Sequence, residues 1–128
     1  MTEVQIERVA AAVVVARPLQ DIDAANGEDV RLQLAATVDE RSETLVLDLS
    51  RVEYVDSAGV DMIFRLAALL TDRRSELRVV IPESSPLRRL AEIVSLPEAM
   101  ALDATLEEAI AASSGGSRGG VASPDAPQ

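Results

Sequence analysis

From residue 44 onward the chain alternates short apolar runs with longer stretches whose apolar residues recur every three or four positions. Thr44-Leu45-Val46-Leu47-Asp48-Leu49 is almost continuously apolar and bounded by polar residues, the signature of a buried strand. A helical pattern follows over about 58–72, in which Met62, Ile63, Leu66, Ala67 and Leu70 cover most of the circumference. Leu77-Arg78-Val79-Val80-Ile81 reads as the next strand, closed by Pro82. Pro86 then stands where a helix can begin, with Leu87, Leu90, Ala91 and Val94 as its apolar stripe and Pro97 as its breaker. A short strand is expected around 99–102, and a last helix, capped by Asp103 or Thr105, through about residue 112. Before residue 44, Val4-Gln5-Ile6-Glu7-Arg8-Val9 alternates as a half-buried strand does, and Ala12-Val13-Val14-Val15-Ala16 is a second, β-branched strand ended by Pro18. Only two alanines separate the pair, so they form an opening hairpin without the usual Gly or Asn. Asn26 reads as the N-cap of a helix with Glu28 and Asp29 in its first turn and an apolar face of Val30, Leu32, Leu34, Ala35 and Val38. Alternating strands and helices imply an α/β fold with parallel crossovers. The hairpin makes the central sheet mixed, with about five strands and about four helices.

A chain of 128 residues, 48% hydrophobic, forms one domain with a single core. With one Phe, one Tyr and no Trp, that core is aliphatic. The domain is expected over 1–112. Residues 113–128, rich in Gly, Ser and Pro, are expected to be a disordered tail. No apolar run approaches the ~18 residues needed to cross a bilayer, and no charged-then-apolar leader opens the chain, so a cytoplasmic protein without membrane insertion is expected. A net charge of −10 argues against nucleic acid, whose phosphates would be repelled. The chain has neither cysteine nor histidine, which excludes disulfides, thiolate metal sites and a Ser-His-Asp hydrolase. Asp48, Asp56 and Asp61 have no partner base or metal-ligand set, and the glycines at 115–120 carry no Lys and open no helix. No catalytic residue, metal or cofactor is expected.

The chemistry concentrates at the junction between the buried strand and the long helix. There Asp56-Ser57-Ala58-Gly59 delivers the chain into the helix N-terminus. A serine in that place suits a helix cap, whose oxygen accepts from first-turn N–H groups, or a phosphorylation site, because a helix N-terminus attracts anions. A phosphate would add about −1.5 to −2 charge beside Asp56, with Glu53 and Asp61 close in sequence and no neighbouring Arg certain to neutralise it. It would therefore repel an acidic partner surface more than it would reorganise the fold. Along the helix, Asp61, Arg65, Ala68 and Asp72 share one side, while Phe64 projects within roughly 20° of Ser57. Phe64 is then either a core residue under a neighbouring loop or an exposed aromatic anchor beside the hydroxyl.

The strand Leu45-Val46-Leu47-Asp48-Leu49, the helix start Val55-Asp56-Ser57-Ala58-Gly59-Val60, the Leu77-Arg78-Val79-Val80 strand and the Pro86-Leu87-Arg88-Arg89-Leu90 helix start together resemble STAS domains. Within that family they look most like the bacterial anti-sigma factor antagonists, over about residues 4–112. The resemblance implies a partner switch. The unphosphorylated antagonist binds an anti-sigma factor serine kinase and frees the sigma factor for transcription. Phosphorylation ends binding, and a metal-dependent serine phosphatase restores it. By position Ser57 is the implied phosphoacceptor, Asp56 and Gly59 shape the docking loop, and Asp23 contributes to the docking surface before the first helix. Ala58, Asp61 and Phe64 complete the expected partner-binding set. Two departures stand out: Gln20 replaces a usual Gly, and Ala58 replaces a frequent Ser or Thr, leaving Ser57 the only hydroxyl in the motif. An accessory subunit of a lipid ABC transporter or a stress-signalling scaffold, with Ser57 a mere cap or contact, are the other readings. The oligomeric state stays open.

Overall fold

The computed structural model describes residues 2–38 and 43–115. In chain order the elements are β1 Val4–Ala10, β2 Val13–Pro18, α1 Gly27–Ala35, β3 Thr44–Asp48, α2 Ser57–Asp72, β4 Glu76–Val80, α3 Leu87–Ile93, α4 Leu96–Ala99, β5 Ala101–Asp103 and α5 Leu106–Gly115. The five strands form one mixed sheet in the order β1-β2-β3-β4-β5, antiparallel between β1 and β2 and parallel thereafter. The near-continuous apolar runs of β2 and β3 lie inside the sheet, buried on both faces, while the alternating β1 forms its edge. On one face Ala16, Leu45, Leu47, Leu77 and Val79 pack with Val30 and Leu34 of α1, Met62, Ile63, Leu66 and Leu70 of α2, and Leu87 and Ala91 of α3. On the other, Val13, Val15, Val46 and Val80 pack with Ala109 of α5. No helix among the described residues is long and apolar enough to cross a membrane.

The hairpin closes without Gly or Asn because the register shifts between Arg8 and Ala10, and Arg8 Nη1 donates to Ala11 O at 2.8 Å. Asp48, the acid inside an apolar strand, is 2% exposed on the α5 face. There Arg17 reaches its Oδ2 at 2.9 Å and Ser50 N–H donates to its Oδ1 at 3.0 Å, so the carboxylate is neutralised where it lies.

Five helices form where about four were expected. Pro97 does not end α3. That helix stops at Ile93, Ser95 takes the left-handed conformation with φ 57°, and Pro97 falls in the first turn of α4, where its missing N–H is no loss. Thr105, rather than Asp103, caps α5: its Oγ1 accepts from Glu108 N at 3.1 Å, while Asp103 binds Arg78. Leu32 is 55% exposed, because at 100° per residue it lies opposite the Val30–Leu34 stripe. Helix α5 runs to Gly115, past the expected end at residue 112. The rest of the expected tail, 116–128, lies outside the described residues.

Candidate functional site

Two loops converge on the start of α2: residues 19–26, which leave β2, and residues 49–56, which leave β3. Ile22 and Val55 form an isolated parallel bridge, in which Ile22 N–H donates to Tyr54 O and Asp56 N–H to Ile22 O, both at 3.1 Å. Asp21 reinforces it, with Oδ1 accepting from the N–H groups of Glu53 at 2.9 Å and Tyr54 at 3.2 Å. Asp23 folds its own loop: Oδ1 accepts from Ala25 N at 2.9 Å and Asn26 N at 3.2 Å. Asn26 in turn accepts from Asp23 N at 2.9 Å and donates to Asp21 O at 2.9 Å. The Asn26 side chain therefore does not cap α1, as its position suggested. The loop's own donors and acceptors occupy it.

Asp56, not Ser57, is the side-chain cap of α2. Its Oδ1 accepts from Gly59 N at 2.9 Å, satisfying one open donor of the first turn. Its Oδ2 accepts from Ala24 N at 3.1 Å, pinning the 19–26 loop against the helix start. Ser57 is the first helical residue; its side chain is exposed and its hydroxyl has no hydrogen-bond partner among the described residues. Ala58 beside it is also exposed. Gly59 is buried for a steric reason: a Cβ there would stand 2.5 Å from Val55 Cγ1 and 3.0 Å from both Ile22 Cγ2 and Ile22 O. Only a residue without a side chain lets the loop close this far onto α2.

Beyond Ala58, a shallow groove of about 430 Å³ runs between α1 and α2, with Ala24, Gly27, Ala58 and Met62 among its lining residues. Charged pairs line it on both helices: Glu28–Arg31 at 2.7 Å on α1 and Asp61–Arg65 at 2.7 Å on α2. The hydrogen bond from Arg31, opposed by desolvation and helped by the charges of Arg31 and Arg65, lowers the Glu28 carboxyl from its ordinary value. The structure thus brings Asp23, Asp56, Ser57, Ala58 and Gly59 together and places Asp61 one turn further along α2. Phe64, another turn on, is half-buried and packs against the core, so it is not a freely presented anchor. Sequence reading missed Arg31. It is remote from Ser57 in the chain, and its only signal was the i,i+3 spacing to Glu28. Among the described residues no cluster of acidic side chains could hold a metal ion.

Comparison with known proteins places the domain. The family model for the STAS domain matches residues 4–109. BtrV of Bordetella bronchiseptica, a candidate anti-sigma factor antagonist, is 37% identical over 73 residues, 56% of this chain and 61% of that relative. Among solved structures, an anti-sigma factor antagonist from Mycobacterium paratuberculosis superposes with a TM-score of 0.77 at 24% identity, covering 89% of this chain and 95% of that one. The phosphorylated form of the Bacillus cell fate determinant SpoIIAA gives 0.62 at 25% identity, covering 84% and 96%. The murine anion transporter Solute Carrier 26 family member A9 gives 0.70 at 18% identity, covering 84% of this chain but 18% of the transporter, a likeness of fold alone. With the family model spanning the sheet from β1 to β5 and most of its helices, the chain belongs to the STAS domain family.

Proposed function

We propose that this protein is an anti-sigma factor antagonist that works by partner switching and is switched off by phosphorylation of Ser57. One observation carries the reading: at the first residue of α2 the Ser57 hydroxyl is exposed and has no hydrogen-bond partner among the described residues, because Asp56 has taken over the capping. In the unmodified state, Ser57, Ala58 and the Asp23 loop offer a small-residue surface to an anti-sigma factor serine kinase. The kinase transfers the γ-phosphoryl group of ATP to Ser57 Oγ. The hydroxyl proton leaves to the kinase's base, and ADP is released. The phosphoserine adds about −1.5 to −2 charge to a surface that already holds Asp21, Asp23, Glu53 and Asp56, and the complex dissociates. A serine phosphatase hydrolyses the ester with water and restores binding. The protein itself catalyses nothing, needs no cofactor, binds no nucleic acid and acts in the cytoplasm.

Support comes from the match to BtrV and from the likeness to SpoIIAA, solved in a phosphorylated form. The test is incubation with ATP-Mg and each candidate anti-sigma kinase of the same cell, with the phosphate mapped by mass spectrometry. A single phosphate on Ser57 accompanied by loss of binding is expected. Ser57→Ala should bind the kinase without being released, and Ser57→Asp should fail to bind. Equal affinity of the two variants would refute the switch. No phosphate from any kinase, with stable binding to a transporter ATPase, would make the domain an accessory subunit instead.

A further inference from the structure

We propose that the edge of β1, which no other strand covers among the described residues, pairs with β1 of a second copy, antiparallel about a two-fold axis through Ile6. Of the five large hydrophobic residues exposed among the described residues, two lie on this one strand: Ile6 at 47% and Val9 at 37%. The pairing with β2 fixes which backbone groups are available. Leu19 N–H donates to Glu3 O at 3.1 Å, and hydrogen-bonded pairs alternate along an antiparallel ladder. Glu3, Gln5 and Glu7 therefore turn their N–H and C=O groups toward β2, whereas Val4, Ile6 and Arg8 turn theirs outward. These three outward residues are spaced symmetrically about Ile6. A two-fold axis there sets Ile6 opposite Ile6 of the second copy and Val4 opposite its Arg8, using the whole regular part of the strand before the bulge.

The charges agree with that register. Glu7 falls opposite Gln5, and Glu3 opposite Val9, so no like charges face each other. Arg8 arrives already neutralised, because its Nη1 lies 2.9 Å from Glu43 Oε2. Centring the axis on Arg8 instead would oppose two arginines and run into the bulge. On the α5 face, Gln5, Glu7 and Val9 border an open groove of about 470 Å³ whose far side is formed by Val15 and Leu106. In the paired state this groove continues into that of the second copy. The contact is isologous and closes on itself, so it yields a dimer rather than a fibre. A single strand pair falls short of the roughly 1,200 Å² of a stable complex, so association is weak. Each chain carries −10, so salt strengthens it. No residue of the Ser57 site lies on β1, and the inference stands apart from the proposed function.

Sedimentation equilibrium of the full chain at high ionic strength tests it. The average mass should climb from 13.6 kDa toward twice that value between roughly 10 µM and 1 mM. Ile6→Lys, at an exposed position that keeps the fold by circular dichroism, should remain at the monomer mass throughout. Because the chain has no cysteine, Ile6→Cys should also oxidise to a disulfide-linked dimer many-fold faster than Leu32→Cys, a comparably exposed control. A monomer at all concentrations, a dimer unaffected by Ile6→Lys, or equal oxidation rates of the two cysteine variants would each overturn the proposal.

Discussion

Two glycines stand in the first turns of helices, Gly27 at the first position of α1 and Gly59 at the third position of α2. Helix propensity alone gives both the same answer: alanine should stabilise, by up to about 1 kcal/mol in a helix interior, partly by restricting the unfolded chain. The structure reverses the sign at one of them. A Cβ at Gly27 meets nothing within 4 Å, whereas one at Gly59 reaches Val55 Cγ1 at 2.5 Å and Ile22 O at 3.0 Å. Val55 is stiff at χ1, and Ile22 O already accepts from Asp56 N–H, so neither yields without loosening the bridge between the two loops. Overpacking of this kind costs about 1–3 kcal/mol, and a weakened buried hydrogen bond about 1 more. Against the propensity gain, Gly59→Ala should lose about 1–3 kcal/mol net, while Gly27→Ala should gain a few tenths or more. Urea unfolding followed by circular dichroism reads the difference. With a slope of about 1–3 kcal/mol/M, a 2 kcal/mol loss lowers the midpoint by roughly 1 M at unchanged slope. A Gly59→Ala protein as stable as the parent, or two alanine variants that shift together, would refute the claim that the 19–26 loop closes on α2 through this glycine.

Asp56→Ala should speed hydrogen exchange at both Gly59 and Ala24 and cost about 1–2 kcal/mol; an unchanged rate at Ala24 would sink its bridging role. The Arg17–Asp48 pair should break asymmetrically in urea melts. Arg17→Ala strands a carboxylate that is 2% exposed and should cost about 3–5 kcal/mol. Asp48→Ala leaves a guanidinium 31% exposed, which can rehydrate, and should cost less; the reverse order would refute the account. Arg74, left-handed at φ 60° where Ser75 N–H closes onto Leu70 O at 2.7 Å, occupies the place glycine favours after a helix. Arg74→Gly should raise stability by about 1 kcal/mol, and no rise in Tm would contradict it.

The strands and long helices were legible because their periods differ. The continuous run at 44–49 and the three-to-four spacing through α2 admit one assignment each. What escaped reading depends on competition among neighbours. Pro97 is a breaker if the preceding helix would otherwise continue. It is a starter once Ser95 has turned left-handed, and a serine gives no sign of that. Asn26 is a favoured cap type, yet Asp23 N–H and Asp21 O, five residues away or fewer, take its amide first. The helical wheel set Phe64 near Ser57 in angle but could not say which neighbours would half-cover it. Arg31 lies on another helix, and only folding carries it to the groove beside Ala58.

Asp56 and Ser57 are both favoured caps and adjacent, and the choice between them decides how the serine can be used. A carboxylate offers two oxygens, and here two donors converge on it, Gly59 N–H from 3 residues further on and Ala24 N–H from 32 residues back. A single hydroxyl could not serve both, so the acid takes the cap and the hydroxyl is left exposed. Were Ser57 the cap, a phosphate on it would remove a bond that holds α2, about 1 kcal/mol of helix stability. With Asp56 in that role, the phosphate would disturb no side-chain hydrogen bond among the described residues. The helix dipole would favour it by about 0.3–1 kcal/mol, offsetting part of the repulsion from the acids nearby. The fold would therefore tolerate both states of Ser57 at nearly equal stability, and the modification would be felt almost wholly at the surface a partner meets.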